Sequence, residues 1–174
     1  MGFAIPPLCI LRICDPFFSI VKQALYSASL EKKLNMSNFK ISTDKDKLDS
    51  NVIHDFLSNR SYWAIGRSLE TVKRSIENSI CFGVYDNSDK LVGFARVLTD
   101  YAVFAYIMDV FILEDYRKQG LGKQLIDAIM QHSDLQSLQR FMLATNDAHE
   151  LYEKYGFGRT VIPEKIMEIV NKPQ

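Results

Sequence analysis

The stretch from Arg117 to Lys123, which reads Arg-Lys-Gln-Gly-Leu-Gly-Lys, contains the residue types that bind phosphate groups. It follows the apolar run Val110-Phe111-Ile112 and precedes a segment with helical spacing of its apolar residues. The first turn of a helix has unpaired N–H groups and a partial positive charge. Because Gly120 and Gly122 lack Cβ atoms, a ligand can approach their backbone closely, and the basic side chains add charge around it. The sequence therefore predicts a diphosphate site here, with ordinary glycine caps as the alternative.

Composition limits the function that such a site can serve. The chain has 174 residues, 47% of them hydrophobic and 24% charged, which is enough for one domain with one sizeable core. It carries 21 Lys plus Arg and 21 Asp plus Glu, so no excess of positive charge favours nucleic acid as a partner. The apolar runs are shorter than the roughly 18 residues of a membrane span, so we expect no membrane insertion.

The histidines and cysteines do not suggest a metal site. The three histidines lie far apart, and Cys9, Cys14 and Cys81 form no CxxC pair, so we expect no metal. An odd number of cysteines without a disulfide pattern fits a reducing compartment, and we predict a cytoplasmic location.

The periodicity of apolar residues predicts the elements that position the phosphate site. Residues 1–35 differ in pattern from the rest and are predicted to be an N-terminal extension, with a single domain over residues 36–174. The predicted elements of that domain, in chain order, are a strand at 38–42, a helix from Thr43 or Asp44 to 59, a helix at 68–78, strands at 80–85, 91–98 and 104–112, a helix at 120–132, a strand at 141–144, a helix at 148–155 and a strand at 166–170. This order indicates an α/β (α+β) fold, a mixed sheet with helices on both faces.

Two motifs in this sequence resemble those of a known superfamily. Arg117-x-x-Gly120-x-Gly122 matches the [QR]-x-x-G-x-[GA] motif of the GNAT superfamily of N-acetyltransferases, with a strand before it and a helix after it. The segment from Asn146 to Phe157 resembles the Asn-x-x-Ala-x-x-Leu-Tyr-x-Lys-x-Gly-Phe segment of the same superfamily, with one residue instead of two between Asn146 and Ala148. The resemblance covers residues 36–170. It implies a central, mostly antiparallel mixed sheet that is splayed at its central strand.

The resemblance implies acetyl-CoA as the acetyl donor. The pyrophosphate would bind the backbone amides from about Lys118 to Lys123, and the pantetheine arm would pair with the splayed strand like an added strand. The residues expected to bind the donor are Val110, Ile112, Arg117, Lys118, Gln119, Gly120, Leu121, Gly122, Lys123 and Asn146. Capping of the following helix is the alternative role of Asn146, and plain core packing is the alternative for Val110 and Ile112.

Two residues are the candidates for catalysis. Tyr152 occupies the position of the general acid in relatives, and a phenol with a pKa of about 10 can protonate a departing thiolate. A backbone N–H of the central strand would stabilise the developing oxyanion. Asp109 lies on the predicted central strand, where burial would raise its pKa towards that of a base. Some relatives carry Glu-Asp at this position, whereas this chain has Met108-Asp109, so Asp109 acts as a base, acts through water, binds a cationic acceptor or holds a loop.

The acceptor is expected to bind near Tyr62, Trp63 and Arg67, in the loop between the two early helices. Aromatic rings beside a guanidinium suit stacking and a contact with a carboxylate or phosphate. We predict an N-acetyltransferase that acetylates a primary amine of a small molecule by direct attack in a ternary complex. A non-catalytic acyl-CoA-binding or regulatory module and a protein or peptide N-acetyltransferase are the alternatives. Superfamily members are often dimers, so a homodimer is the oligomer to expect.

Overall fold

A mixed sheet of five strands forms the centre of the protein, and the computed structural model describes residues 38–171. Strands β1 (Lys40–Ser42), β2 (Ile80–Tyr85), β3 (Leu91–Thr99) and β4 (Phe104–Ile112) pair antiparallel in chain order. Strand β5 (Arg140–Met142) pairs with β4 in parallel. The predicted mixed, mostly antiparallel sheet is confirmed. The predicted extension over residues 1–35 lies outside the described residues.

The described residues contain four α-helices beside this sheet: α1 (Ser50–Asn59), α2 (Leu69–Glu77), α3 (Leu121–Met130) and α4 (His149–Glu153). The prediction that the first helix begins at Thr43 or Asp44 was wrong. Asp44 caps only a short 3₁₀ turn, and α1 begins at Ser50 because the Asp49 side chain accepts hydrogen bonds from the N–H groups of Asn51 and Val52.

Alternation along the strands separates two apolar cores. On β2, Phe82 and Val84 belong to one core, whereas Cys81 and Tyr85 belong to the other. The first core is closed by α3 through Leu121, Leu125, Ile126 and Ile129, and the second by α1 and α2 through Ile53, Phe56, Leu57, Val72 and Ile76. Each large apolar side chain buried in this way stabilises the fold by about 1.5–3 kcal/mol. Helices therefore cover both faces, as predicted.

The sheet parts beside β4. Strand β5 pairs only with Phe104–Tyr106, so the rest of β4 has no strand on that side among the described residues. The N–H of Leu113 donates to the carbonyl of Val92 at 2.8 Å, which directs the backbone of residue 113 towards β3. Because backbone groups alternate in direction along a strand, those of Val110 and Ile112 point into the gap. This gap is the splay that the family resemblance implied.

A bulge interrupts the pairing of β3 with β4 just before this gap. The register passes from Phe94 opposite Phe111 to Arg96 opposite Met108, so β4 carries an extra residue. Asp109 lies at this irregularity with φ +52°, a left-handed conformation that is strained for a residue with a side chain. The bulge changes the direction in which the Asp109 side chain leaves the strand.

The end of the chain differs from the prediction. Residues 166–170 form no strand, although apolar content had predicted one, because no strand of residues 38–171 pairs with them. The predicted helix at 148–155 also ends early, at Glu153, where Gly156 turns the chain with φ +85°. Within residues 38–171, no helix is long and apolar enough to cross a membrane.

Candidate active site

A cavity of about 600 Å³ lies beside the unpaired half of β4. Its walls come from residues 106–112 of β4, the loop between α1 and α2, and the loop between β5 and α4. Nine of the residues predicted from the sequence line it: Tyr62, Trp63, Arg67, Asp109, Val110, Ile112, Arg117, Asn146 and Tyr152. The predicted phosphate loop, Lys118–Lys123, is absent from the lining and lies where β4 leads into α3.

The backbone from Lys118 to Lys123 offers free hydrogen-bond donors. None of these N–H groups donates to another atom among residues 38–171. Gly120 has φ +81°, a conformation that favours glycine, and a Cβ built there would meet no atom within 4 Å. Lys118 also has a positive φ, +63°. Such a turn at the start of α3 can bind an anion through its main chain.

Arg117 does not extend into this turn. Its Nε donates to the carbonyl of Ile112 at 2.9 Å, and its Nη2 contacts Glu114 at 3.1 Å. Arg117 therefore ties the phosphate loop to the end of β4, so its most direct effect is on the position of the loop. Its bond also occupies the carbonyl of Ile112, which leaves the N–H of that residue facing the gap.

Tyr152 is buried at the inner end of the cavity. Burial is the main cause that raises the pKa of its hydroxyl to about 12, and the charges of Asp147 and Tyr62 raise it further. Within the described part of the chain, this hydroxyl has no hydrogen-bond partner. The ring packs edge-on against Phe157. Tyr152 therefore keeps its proton at neutral pH and presents it to the cavity.

Asp109 is held by three donors. Its Oδ2 accepts from Nε of Arg96 at 2.6 Å and from Nη1 of Arg67 at 2.7 Å, and its Oδ1 accepts from the indole N–H of Trp63 at 3.2 Å. The Asp109 carboxylate is buried, and so is Arg96, which also contacts Ser79 at 3.3 Å. Two guanidinium groups and an indole N–H therefore engage both oxygens of this carboxylate, through hydrogen bonds of which two are charge-assisted.

The loop that carries Tyr62, Trp63 and Arg67 reaches both sides of the cavity. Trp63 and Arg67 bind Asp109 on β4, as described above. The hydroxyl of Tyr62 accepts a hydrogen bond at 3.1 Å from the backbone N–H of Asn146, which precedes α4. The amide side chain of Asn146 has no partner among residues 38–171. The three predicted acceptor residues thus line the same cavity as the predicted donor strand, and two of them contact it directly.

The ion pair of Arg96 and the place of Asp147 at this site were not predicted from the sequence. Arg96 alternates with the apolar residues Ala95 and Val97 on β3, and an arginine in a central strand needs a buried counter-charge, which Asp109 provides. Asp147 also lines the cavity and forms no ion pair in the described chain. His149 is exposed and does not line the cavity. No group of three or more metal-ligating side chains occurs within residues 38–171.

A parted sheet, a loop of N–H groups without partners among residues 38–171 at the end of the parted strand, and a buried tyrosine together form the candidate site. Comparison with known families shows what this arrangement is similar to: residues 51–157 match the family described as Acetyltransferase (GNAT) family. The chain belongs to this family of acetyltransferases, as its motifs predicted.

Individual proteins give the same result. An acetyltransferase of the GNAT family from Xanthomonas campestris is 47% identical, with a TM-score of 0.74 over 76% of this chain and 93% of its own. A protein of Gibberella zeae named as an acetyltransferase is 28% identical over 138 residues, which are 67% of this chain and 77% of that protein. This chain spans about half the length of two algal proteins named as uncharacterized N-acetyltransferases.

One structural neighbour contains the cofactor. A Mycobacterium tuberculosis protein in complex with CoA has a TM-score of 0.56 over 67% of this chain and 70% of its own. At 16% identity, this likeness shows a shared fold. It establishes that the fold found here binds CoA in at least one protein.

Proposed function

We propose that this protein is an N-acetyltransferase that transfers an acetyl group from acetyl-CoA to a primary amine of a small molecule, by direct attack within a ternary complex. One observation carries this proposal: the gap beside β4 leads to a turn, Lys118–Lys123, whose N–H groups have no hydrogen-bond partner within residues 38–171. A ligand with a hydrogen-bonding arm and a diphosphate would satisfy both parts.

The residues present fit acetyl-CoA as the donor. The gap-facing backbone of Val110 and Ile112 and the free amide of Asn146 would hold the pantetheine arm. The N–H groups from Lys118 to Lys123 would hold the pyrophosphate, with Lys118 and Lys123 adding positive charge. Open space around the Cα of Gly120 supports this assignment, because a phosphate can approach the main chain there. When bound, the thioester supplies the activated acetyl group.

Different groups around the cavity would carry out the remaining steps of the acetyl transfer. The acceptor amine, as its neutral form, forms the new C–N bond while the C–S bond breaks, and the amine proton passes to water. Tyr152 would give its hydroxyl proton to the departing thiolate and regain one from solvent. A backbone N–H on the gap side of β4 would stabilise the negative charge that develops on the carbonyl oxygen.

We assign Asp109 a positioning role. Its three donors fix the loop with Trp63 and Arg67 against β4, so that the acceptor wall forms at the same point as the donor strand. Of the alternatives given by the sequence, holding a loop is the one that these contacts support. Proton removal from the amine would then rely on water in the cavity.

A direct test uses the full chain with CoA and acetyl-CoA. Calorimetry should detect saturable binding of CoA. Release of free thiol should then be measured with acetyl-CoA and a panel of polyamines, amino acids, aminoglycosides and lysine peptides. Turnover with a small amine supports the proposal. Binding of CoA without transfer to any acceptor would favour a regulatory acyl-CoA-binding module, and turnover of peptides alone would favour a protein acetyltransferase.

Location and assembly complete the proposal. A cytoplasmic location is supported by the free, buried thiol of Cys81. A homodimer is supported by an exposed apolar segment near the chain end, where Val161, Met167 and Ile169 are each about nine-tenths exposed, because a second copy would cover it. Light scattering of the purified protein measures this state.

A further inference from the structure

We infer that the acceptor carries a carboxylate beside its amine, as an amino acid does, and that Arg67 and Asp147 bind these two groups. The inference rests on the proposed function and deepens it by naming the substrate class. Arg67 belongs to the loop between α1 and α2, and Asp147 to the loop between β5 and α4, so they contribute to different walls of the same cavity.

The wall formed by Arg67 has an unbalanced positive charge. Arg67 and Arg96 both pair with Asp109, through the same oxygen atom, so two guanidinium groups share one carboxylate. The side chains of Arg96 and Asp109 are 9% and 2% exposed, whereas that of Arg67 is 20% exposed. A net positive charge at low exposure is costly without a partner. An anionic ligand group at Arg67, the member of the group that solvent reaches, would supply that partner.

The geometry of Arg67 leaves room for such a ligand. Only its Nη1 is used by Asp109, and a guanidinium has five N–H donors. The remaining donors suit a planar carboxylate, which a guanidinium binds through two parallel hydrogen bonds. Trp63, held by its indole N–H against Asp109, lies in the same loop and lines the cavity beside this group.

The wall formed by Asp147 has the opposite charge. Asp147 lines the cavity and pairs with no cation among residues 38–171; its one contact is at 3.4 Å from the hydroxyl of Thr145. It precedes α4, yet it does not cap that helix, because Thr145 accepts from the N–H of Ala148 instead. Asp147 lies near enough to Tyr152 for its charge to act on that hydroxyl. An ammonium held there would lie close to the proposed proton donor.

The other charged groups of the cavity are already paired. Arg60 contacts Asp55 and Glu114, and Arg117 contacts Glu114 and the carbonyl of Ile112. Asp109, the second carboxylate of the lining, is engaged by two arginines. This leaves a surplus positive charge at Arg67, which shares Asp109 with Arg96, and the carboxylate of Asp147, which pairs with no cation among residues 38–171; a zwitterionic acceptor matches both.

The test compares acceptors that differ only in the carboxylate. Phenylalanine, phenylalaninamide and phenethylamine share an aromatic group and an amine, and ornithine and putrescine form a second, longer pair. We expect the full-length enzyme to show, in one of these two sets, a kcat/KM at least tenfold higher for the amino acid than for the compounds that lack the carboxylate. Calorimetric binding of the same compounds to the complex with CoA provides a readout that does not need turnover.

Two variants test which residue binds the carboxylate of the acceptor and which binds its amine. Arg67→Gln should abolish the preference for the carboxylate while the Kd for CoA stays unchanged, and Arg74→Gln, on the exposed face of α2, is the matched control for loss of one charge. Asp147→Asn should raise the KM for every amine at least tenfold, with Asp134→Asn as its control. The preference of the unmodified enzyme tests the inference even where a variant folds poorly.

The outcomes separate this inference from the proposed function. Equal or better turnover of phenethylamine and putrescine overturns the inference and leaves the N-acetyltransferase standing. A preference that persists in Arg67→Gln also overturns it. CoA binding with no transfer to the whole acceptor panel overturns the proposed function, and the calorimetric comparison of carboxylate and amine then decides the inference separately.

Discussion

The chemistry of the Tyr152 hydroxyl can be isolated by removing a single oxygen atom. Its ring packs against Phe157, and the phenylalanine variant keeps this packing. We expect Tyr152→Phe to lower kcat by about 10²-fold, the scale of general acid catalysis, with the Kd for CoA unchanged. Steady-state kinetics with the best acceptor of the panel measures this effect.

The control for this variant is Tyr85→Phe. The Tyr85 hydroxyl is also buried, and burial raises its pKa to about 12 as well. It has no hydrogen-bond partner in the described part of the chain and does not line the cavity. Its removal should leave kcat unaltered. Because the pKa of Tyr152 is raised to about 12, the acid stays protonated from pH 6 to 10, and kcat should show no alkaline decline from this group. Full turnover by Tyr152→Phe would remove its assignment as the acid.

Asp109 provides a second test at the level of single residues, because positioning and base catalysis predict different results. Asn keeps the shape and tolerates the left-handed φ of +52°, but it leaves Arg96 without a counter-charge. We expect Asp109→Asn to lower the free energy of unfolding by about 3 kcal/mol. Urea unfolding measures this loss. A variant of unchanged stability but greatly reduced kcat at all pH values would instead identify a base.

The residues of this site show which parts of it could be predicted from the sequence and which could not. Nine of its predicted members line one cavity, because two local motifs and one aromatic loop determine them. The pairing of Arg96 with Asp109 was missed, since it depends on a bulge that brings residues 13 positions apart together, and no local pattern encodes that register. The free carboxylate of Asp147 was missed because its motif position resembles a helix cap.

The turn between β4 and α3 governs donor binding at the level of elements. Gly120 has φ +81° and Gly156 has φ +85°, so alanine at either position costs about 1–2 kcal/mol of backbone strain. We expect Gly120→Ala to weaken CoA binding at least tenfold and Gly156→Ala, at the end of α4, to leave it unchanged. Calorimetry and urea unfolding of both variants separate the two effects. Equal CoA affinity in both variants would contradict the proposed pyrophosphate site.

The element boundaries show which local signals are sufficient. Strands β2 and β4 begin and end where alternation and the turn residues predicted, and α2 begins after its predicted cap, Ser68. The predicted strand at 166–170 failed because a strand needs a partner, and apolar content does not provide one. The predicted start of the first helix failed because two aspartates, Asp44 and Asp49, both suit a cap, and only the second leads into an α-helix.

The whole molecule should lose stability in strong alkali. Burial raises the pKa of Tyr85, Tyr152 and Tyr155 to about 12 and that of Cys81 to about 11. A raised pKa means that the folded state favours the neutral form. Below about pH 8.5 for the thiol and about pH 10 for the tyrosines, these groups are neutral in the unfolded chain too, so the folded state keeps its full free energy of unfolding. As the pH rises from there towards about 12, the unfolded chain ionises first, and this part of the stability is lost.

The measurement is urea unfolding between pH 7 and 12, together with the ultraviolet absorbance of tyrosinate. We expect the free energy of unfolding to fall above about pH 10. The three tyrosines with a raised pKa, Tyr85, Tyr152 and Tyr155, should ionise only when the fold is lost. Ionisation of all tyrosines near pH 10 in a folded protein would contradict this expectation. The substitutions Tyr85→Phe and Tyr155→Phe should each reduce the fall in the free energy of unfolding at alkaline pH.

Unfolding and CoA-binding measurements can also test whether residues 1–35 are needed for the domain. We propose that residues 36–174 form a complete acetyltransferase domain, since the family match begins at residue 51 and the described fold begins at residue 38. A chain that begins at Met36 should keep the urea midpoint and the CoA affinity of the full chain. Loss of cooperative unfolding on this truncation would show that the extension is part of the fold.

The short pairing of β5 with β4 has a consequence for the life of the protein in a cell. An open strand edge is the feature by which unrelated chains join into aggregates, and most proteins protect such edges with charges, prolines or covering segments. Here the edge lies within the sheet, and the coenzyme is the molecule proposed to cover it. We therefore expect the protein to aggregate more readily without coenzyme A than with it, because the ligand-free form leaves that edge bare.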